Sequence, residues 1–212
     1  HPYPAKFIPD IPRTFLAHLP VPPHTCVLDP FCGSGTTLVE AQRMGIPAIG
    51  IDLNPIACLL SRVKTSTLPT GIDSTATEVT WIARQMEDAP PIDIPNVDHW
   101  FLPQVQAALA VLLHTIETLT PPETRDLLRL ALSSIIVRVS NQESDTRYAA
   151  IEKTVGKEQV FDLFFTACRR IYRALASRTW AAQDVHVIES DILAVTPQQI
   201  ARPVGMIITS PP

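Results

Sequence analysis

The stretch that determines the fold of this chain reads Leu28-Asp29-Pro30-Phe31-Cys32-Gly33-Ser34-Gly35-Thr36-Thr37. It continues an apolar run that begins at Cys26 and ends at the acid Asp29, which is typical of a buried strand. Two glycines then interrupt the pattern. Residues 36–44 carry helical spacing, and Gly45 follows as a C-terminal cap. The pattern predicts a strand, a tight loop and a helix.

The same arrangement follows immediately along the chain. Ala48-Ile49-Gly50-Ile51-Asp52 is a second apolar run that ends in an acid. Residues 54–64 form the next predicted helix, with Asn54 as its N-cap and Pro55 in its first position. The two runs are nearly all apolar, as strands covered on both faces are. Together these elements predict an α/β fold with a doubly wound, mainly parallel, Rossmann-like sheet.

Helical patterns interrupt this alternation in the middle of the chain. The longest are predicted near residues 103–119, 121–139 and 157–178. Strand patterns return at 185–189 and 204–208. We therefore expect residues 1–64 to begin the sheet domain, residues 65–182 to be a helical insertion, and residues 183–212 to return to the sheet.

The composition limits the classes of function. The chain has 212 residues, of which 46% are hydrophobic and 18% charged, so it can bury a core and is not disordered. A formal net charge of −4 argues against a basic surface over the whole protein and leaves room for a local basic stripe. We expect no membrane span, because no apolar run reaches about 18 residues.

The cysteines point to a reducing compartment. They are Cys26, Cys32, Cys58 and Cys168. None forms a C-x-x-C pair, so the spacing typical of a zinc site is absent. We expect reduced, mostly buried thiols in a cytoplasmic protein and no metal site.

The glycine loop has the chemistry of a site for a zwitterion. Ligands of open α/β sheets lie beyond the carboxyl ends of the strands. Gly33 and Gly35 let a ligand approach the main chain, and the amides that open the next helix favour a carboxylate. Asp29 can accept a hydrogen bond from an amine. The loop therefore suits an amino acid, such as the methionine end of S-adenosylmethionine (SAM).

Two further acids extend this interpretation to a nucleoside. Asp52 ends the second strand, at the distance from the loop where an acid accepts hydrogen bonds from ribose hydroxyls. Asp191 follows the third predicted strand, where an acid could meet an adenine amino group.

Other interpretations of the loop remain open. A dinucleotide site needs G-x-G-x-x-G, and Leu38 stands at the third glycine position. A phosphate-binding P-loop needs a lysine that does not follow Gly35 here. A tight turn with a strand-end acid and no ligand is the remaining alternative.

Four segments together resemble the amino-methyltransferases that act on cytosine or adenine in DNA. Asp29–Thr37 is similar to the SAM-binding motif of that family, and Gly50–Pro55 to its ribose-binding strand end. His1–Phe7, followed by Ile11-Pro12, resembles the segment that packs on the methionine moiety. Thr209-Ser210-Pro211-Pro212 resembles the start of the catalytic Ser/Asp/Asn-Pro-Pro-aromatic motif.

The resemblance implies a set of site residues. The cofactor SAM would be held by Asp29, Phe31, Cys32, Gly33, Gly35, Thr36, Thr37, Asp52, Asn54 and Asp191. Lys6 could add a contact to the cofactor carboxylate, with a contact to a DNA phosphate and a solvated side chain as the alternatives. The catalytic residues would be Ser210, Pro211 and Pro212. The substrate would be a DNA base flipped out of the duplex. A cysteine nucleophile of the cytosine-C5 type is not indicated, because the catalytic loop reads Ser-Pro-Pro.

The resemblance also has limits. The aromatic residue expected after Pro212 and the later strands of the fold lie outside this sequence, so we expect a fragment with an incomplete sheet. Ser210 favours cytosine-N4 over adenine-N6 as the target, in a restriction–modification or defence system. An RNA or tRNA amine methyltransferase and a non-catalytic SAM-fold subunit stay open, as does the oligomeric state. The polar segment 140–148 could contact DNA or form a plain surface loop.

Overall fold

The structure, a computed structural model, describes residues 7–120, 122–144, 146–180 and 184–210. The described residues form two compact units. The helical unit is Leu68–Ser177, and the sheet unit combines the residues up to 67 with those from 178 onward. Among these residues no helix is long and apolar enough to cross a membrane.

The elements of the sheet unit begin and end close to the predicted positions. In chain order they are α1 (Asp10–His18), β1 (Cys26–Asp29), α2 (Thr36–Arg43), β2 (Ala48–Asp52) and α3 (Pro55–Thr65). The helical unit holds α4 (Ile72–Gln85), α5 (Val97–Trp100), α6 (Pro103–Leu119), α7 (Pro122–Ser133), α8 (Ile136–Val139), β3 (Gln142–Ser144), β4 (Arg147–Ala150) and α9 (Lys157–Ala176). The sheet unit then ends with β5 (Val185–Glu189), a 3₁₀ turn at Ile192–Ala194 and β6 (Val204–Ile207).

The central sheet is parallel and has the order β5-β2-β1-β6. In its register Asp29 lies opposite Gly50, and Asp52 lies opposite Glu189. All four strands therefore present their carboxyl ends at one edge, which is where ligands of such sheets bind. The predicted α/β fold with a mainly parallel, Rossmann-like sheet is confirmed.

Apolar side chains alternate between the two faces of this sheet. On one face Val27 and Ala48 pack with Leu38 of α2 and Leu16 of α1. On the other face Cys26, Leu28, Ile49 and Ile51 pack with four partly buried residues, which are Ile188, Ile192, Val195 and Ile200. The crossover from β5 to β6 thus covers the second face with a 3₁₀ turn and irregular chain.

The predicted helix ends are present in the structure. The side chain of Asn54 accepts a hydrogen bond from the Ile56 amide at 2.9 Å, and Pro55 is the first residue of α3. Gly45 adopts a φ of +73° and donates its amide to Gln42 at 3.0 Å, which ends α2. Both caps satisfy backbone groups that a helix leaves without partners.

The helical unit is built on apolar burial. Phe161 and Phe164 of α9 are fully buried, as are Leu112 of α6 and Leu128 of α7. α9 packs against α4, α6 and α7. These contacts bury the apolar side chains that recur at helical spacing along α9, among them Val160, Phe161, Phe164 and Cys168.

The structure corrects one expectation for this unit and excludes one of two alternatives for another segment. The single helix predicted over 121–139 is broken after Ser133. Ser134 bonds its hydroxyl back to the Ala131 carbonyl at 2.8 Å, and such bonds compete with the helical hydrogen bonds. The polar segment 140–148 is more than a plain loop, because it contributes β3 and part of β4, an antiparallel pair. The Nζ of Lys153 fixes the start of this pair by donating to the carbonyls of Val137 and Gln142.

Candidate functional site

The glycine loop is a tight turn at the carboxyl end of β1. The Cys32 amide donates to the Ile51 carbonyl at 2.9 Å, and the Gly35 amide donates to the Cys32 carbonyl at 2.7 Å. Gly33 and Gly35 have φ values of +49° and +76°, in the left-handed region that favours glycine. A Cβ on Gly35 would also lie 2.6 Å from Ser61 Oγ. The chain therefore needs glycine at position 35 for both conformation and space.

Asp52 joins the ends of β1 and β2. Its Oδ2 accepts from the Gly33 amide at 2.7 Å, and its Oδ1 accepts from the Asn54 amide at 2.9 Å. An ionised carboxylate has about four acceptor positions, so further hydrogen bonds remain open to this half-buried group. Asp52 is thus both a support for the loop and an acceptor at the edge of the sheet.

Helix α3 supports the loop from behind. Ser61 Oγ donates to the Gly33 carbonyl at 2.9 Å, and Lys64 Nζ donates to the Ser34 carbonyl at 2.6 Å. Neither residue was predicted to belong to the site. Their positions on α3 carry no recognisable motif, and only the packing of α3 beside the loop reveals them.

Asp29 is buried beneath the loop, with 2% of its surface exposed. It accepts a hydrogen bond from the Phe31 amide at 3.2 Å. Burial raises the pKa of Asp29, and the nearby hydroxyls of Thr37 and Thr209 oppose this shift. The hydroxyls of Thr37 and Thr209 are buried, and neither forms a hydrogen bond with a described residue. The polar atoms around Asp29 are therefore only partly satisfied.

Ser210 lies at the same edge as the glycine loop. β6 is the parallel neighbour of β1, with Leu28 opposite Ile207, and the Ile208 amide donates to the Leu28 carbonyl at 3.1 Å. Ser210 follows two residues later and is exposed. Thr209, for which no role was predicted, places its buried hydroxyl near Asp29, where it opposes the rise in the Asp29 pKa.

The third predicted acid lies beside Asp52. The Ser190 amide donates to the Asp52 carbonyl at 3.0 Å, and Asp191 follows directly. Asp191 caps the 3₁₀ turn by accepting from the Leu193 amide at 2.9 Å. Two apolar side chains at this edge are strongly exposed, Leu53 at 70% and Leu193 at 92%. Neither leucine was predicted to be a site residue.

The other predicted site residues differ in their exposure to solvent. Phe31 is exposed and Thr36 half-buried at the start of α2. Cys32 is buried, with its Sγ 3.9 Å from Ser61 Oγ. The predicted site residues Lys6, Pro211 and Pro212 lie outside the described residues.

The cysteines have the environment of structural thiols. All four are buried and free. Burial raises the pKa of Cys32 to about 12 and that of Cys58 to about 11. Such thiols hold their protons at neutral pH and are poor nucleophiles. Within the described residues no group of His, Cys, Asp and Glu side chains is arranged to hold a metal ion.

Comparison with known proteins locates a strong similarity in the first part of the sheet unit. Residues 2–62 match the family model described as DNA methylase. The Type II methyltransferase M.MjaII of Methanocaldococcus jannaschii is 51% identical over 65 residues, which cover 30% of this chain and 12% of that protein. The Type II methyltransferase M.MvaI of Kocuria varians is 26% identical over 191 residues, which cover 82% of this chain and 41% of that protein.

The chain therefore spans less than half the length of either relative. No solved structure matches it significantly. The family model covers the glycine loop, Asp52 and the start of α3, which are the parts of the site that carry the motif. The resemblance to the DNA amino-methyltransferases, predicted from the sequence, is confirmed by the family model and by both relatives.

Proposed function

We propose that this protein transfers a methyl group from SAM to an exocyclic amino group of a base in DNA. The favoured target is the N4 amine of cytosine, within a restriction–modification or related defence system of the cytoplasm. One observation carries the proposal: the glycine loop and Ser210 follow adjacent parallel strands and share one edge of the sheet. A donor and an acceptor of a methyl group must meet, and this edge brings their candidate sites together.

The residues present fit the cofactor. Asp29 supplies a buried carboxylate for a cationic amine, and the turn through Gly33 and Gly35 leads into α2, whose first amides favour a carboxylate. Asp52 has acceptor positions left for a ribose diol. The exposed side chains of Leu53 and Leu193 offer apolar surface to a purine ring. SAM would supply an electrophilic methyl group at this edge.

Ser210 is the residue proposed to act on the target amine. The lone pair of an exocyclic amine is delocalised into the base ring, so the amine is a weak nucleophile. The Ser210 hydroxyl accepts a hydrogen bond from an amine proton and thereby localises the lone pair on nitrogen. The carbonyl of Pro211 is the proposed partner of the second proton. The base must leave the duplex stack to reach this edge.

The direct test follows labelled methyl from SAM into DNA and identifies the modified nucleoside by mass spectrometry. Both this chain and a version extended past Pro212 along its gene are assayed, since the aromatic position of the motif follows Pro212. N4-methylcytosine is the expected product. N6-methyladenine would overturn the cytosine assignment alone. Label in tRNA and not in DNA would overturn the DNA substrate, and SAM binding without transfer would favour a non-catalytic subunit.

Two substitutions separate the cofactor site from the catalytic site. Ser210→Ala is expected to lower kcat by about 100-fold with SAM affinity nearly unchanged, because it removes a contact made to the target amine. Asp52→Ala is expected to weaken SAM binding by about 10- to 100-fold, because it removes a charged acceptor. Calorimetry with SAM and single-turnover transfer measure the two effects.

Matched controls lie at the same edge. Ser190→Ala removes an exposed hydroxyl at the end of β5, and Glu189→Gln removes the charge opposite Asp52. Both are expected to leave kcat and SAM affinity within about twofold of the wild type, as surface substitutions generally do. The reverse pattern, with Ser210→Ala losing SAM and Asp52→Ala losing only turnover, would show that the two roles are exchanged.

A further inference from the structure

The last turns of α9 carry a concentrated positive charge. Arg169, Arg170 and Arg173 are exposed, and their i, i+1 and i+4 spacing places them on one side of the helix. With Phe165 and Thr166 they line a depression of about 280 Å³. We call these three side chains the arginine face. It lies wholly within the helical unit.

The acidic side chains of α9 itself do not neutralise the arginine face. Glu158 and Asp162, on the first half of α9, are bound by Arg84 at 2.8 and 2.7 Å. Asp73 approaches Arg169 Nε only to 3.9 Å, at the limit of an ion pair. The positive charge at the end of α9 is therefore largely available to another molecule.

The other contacts of the arginine face are weak or neutral. Arg170 donates to the Ser134 hydroxyl, an uncharged acceptor, at 3.2 Å. The guanidinium of Arg169 lies 5.9 Å from the Phe165 ring, which orients it without neutralising it. No described residue forms an ion pair with Arg173. The three guanidinium groups therefore retain N–H donors that can bind an anion.

The cluster contrasts with its surroundings. Acidic residues outnumber basic ones over Leu68–Ser177, and the whole chain has a net charge of −4. Three like charges within two helical turns repel each other, and an anionic partner removes that repulsion. Arginine forks bind phosphate in two-point contacts, and side chains three or four positions apart are about 5–6 Å from each other at Cβ. This spacing suits neighbouring phosphate oxygens.

We propose that the arginine face binds the phosphate backbone of DNA and so fixes the helical unit on the duplex. The proposal rests on the function proposed above, because that function makes DNA the anion this protein meets. A membrane surface is disfavoured, since the depression offers one half-buried aromatic ring and a threonine in place of a broad apolar flank. Contacts of this kind position a protein on DNA and carry no sequence information.

Salt-dependent binding to a DNA duplex tests the proposal. The variant combines Arg169→Gln, Arg170→Gln and Arg173→Gln. The logarithm of the association constant decreases linearly with the logarithm of the salt concentration. The magnitude of this slope is expected to be smaller by about 0.9 for every phosphate that the variant no longer neutralises. The affinity at low salt is expected to fall about tenfold or more. Arg173→Gln alone is expected to give a partial effect, and Arg173→Lys to retain most of the slope, because it keeps the charge.

Arg84→Gln is the matched control. It removes one positive charge from the same unit, but that charge already faces Glu158 and Asp162. Its salt slope is expected to equal that of the wild type. Circular dichroism checks that every variant is folded, and Arg173→Gln, a single exposed substitution, keeps the test available if the triple variant does not fold.

The outcomes separate this proposal from the proposed function. If the arginine variants and Arg84→Gln show the same slope and affinity, while the wild type methylates DNA, only the role of the arginine face is overturned. If the wild type modifies no DNA under any condition, the proposed function itself fails. If the variants lose binding to polyglutamate but not to DNA, the face serves an acidic protein and the DNA assignment is wrong.

Discussion

Different kinds of interaction stabilise the glycine loop of the sheet unit and the core of the helical unit. Around the glycine loop, backbone geometry and single hydrogen bonds fix the structure, as in the contacts of Asp52 with the Gly33 and Asn54 amides. In the helical unit, buried rings such as Phe161 and Phe164 fill the space between helices. Added volume is therefore expected to damage the glycine loop, and removed volume the core of the helical unit.

The largest effect is expected in the helical unit. Phe164→Ala removes a fully buried ring and should lower the free energy of unfolding by about 4 kcal/mol. Leu113→Ala on α6, where 38% of the residue is exposed, is the control and should cost much less. Urea unfolding measures both. Equal losses would show that this unit does not depend on its buried rings.

The glycine loop should show the opposite sensitivity. Gly35→Ala adds one methyl group at a φ of +76° and against Ser61, so we expect a loss of about 3 kcal/mol together with weaker SAM binding. Gly45 has a φ of +73°, but no atom lies within 4 Å of an added Cβ. Gly45→Ala should therefore lower the free energy of unfolding by about 1–2 kcal/mol, through backbone strain alone. Gly156→Ala, in the helical unit, has neither penalty. Thermal unfolding of the three variants would rank them in this order, and equal shifts would contradict the crowding against Ser61.

A smaller effect is expected from the charge of Asp29. Because its folded-state pKa is raised above the ordinary 3.8, the native state holds this proton to a higher pH than the unfolded chain does. Asp29 therefore lowers stability as pH rises from the ordinary pKa to the raised one, and the loss persists above that window. Asp29→Asn should be less sensitive to pH there and more stable than the wild type at neutral pH, while binding SAM more weakly.

The free energy of unfolding of the wild type and of Asp29→Asn is measured by urea unfolding from about pH 3 to about pH 7, which spans the ordinary range of carboxyl pKa values. Asp10→Asn is the control, since Asp10 is exposed on α1. A gap between Asp29→Asn and the wild type that stays constant over this range would contradict the raised pKa of Asp29.

The smallest effect is expected from thiol reagents. Burial raises the pKa of Cys32 to about 12 and that of Cys58 to about 11, and also raises that of Cys168 in the helical unit. Iodoacetamide should therefore leave all three unmodified in the native protein at neutral pH, since the thiolate is the reactive form. Mass spectrometry before and after denaturation measures this. Rapid native labelling of Cys32 would show that the loop opens.

Sequence patterns predicted the sheet unit in detail because its constraints are local. A positive φ favours glycine, a helix start favours a cap such as Asn54, and a buried strand requires an apolar run. The helical unit gives weaker signals, since many apolar residues satisfy the same helical spacing. The break at Ser134 involves a hydroxyl bond to Ala131 that the apolar spacing does not show, and the β3–β4 pair depends on Lys153, which contacts Val137 and Gln142 from farther along the chain.

The sequence by itself determined the order of strands and helices in the sheet unit, the glycine turn after β1 and the acids at the strand ends. Only the tertiary structure decided that β6 pairs with β1, which brings Ser210 to the edge that holds Gly33. It also revealed Ser61 and Lys64, whose hydrogen bonds join residues far apart in the chain. The reason is physical: a turn or a cap is fixed by neighbouring residues, whereas strand pairing and side-chain support depend on which distant segments pack together.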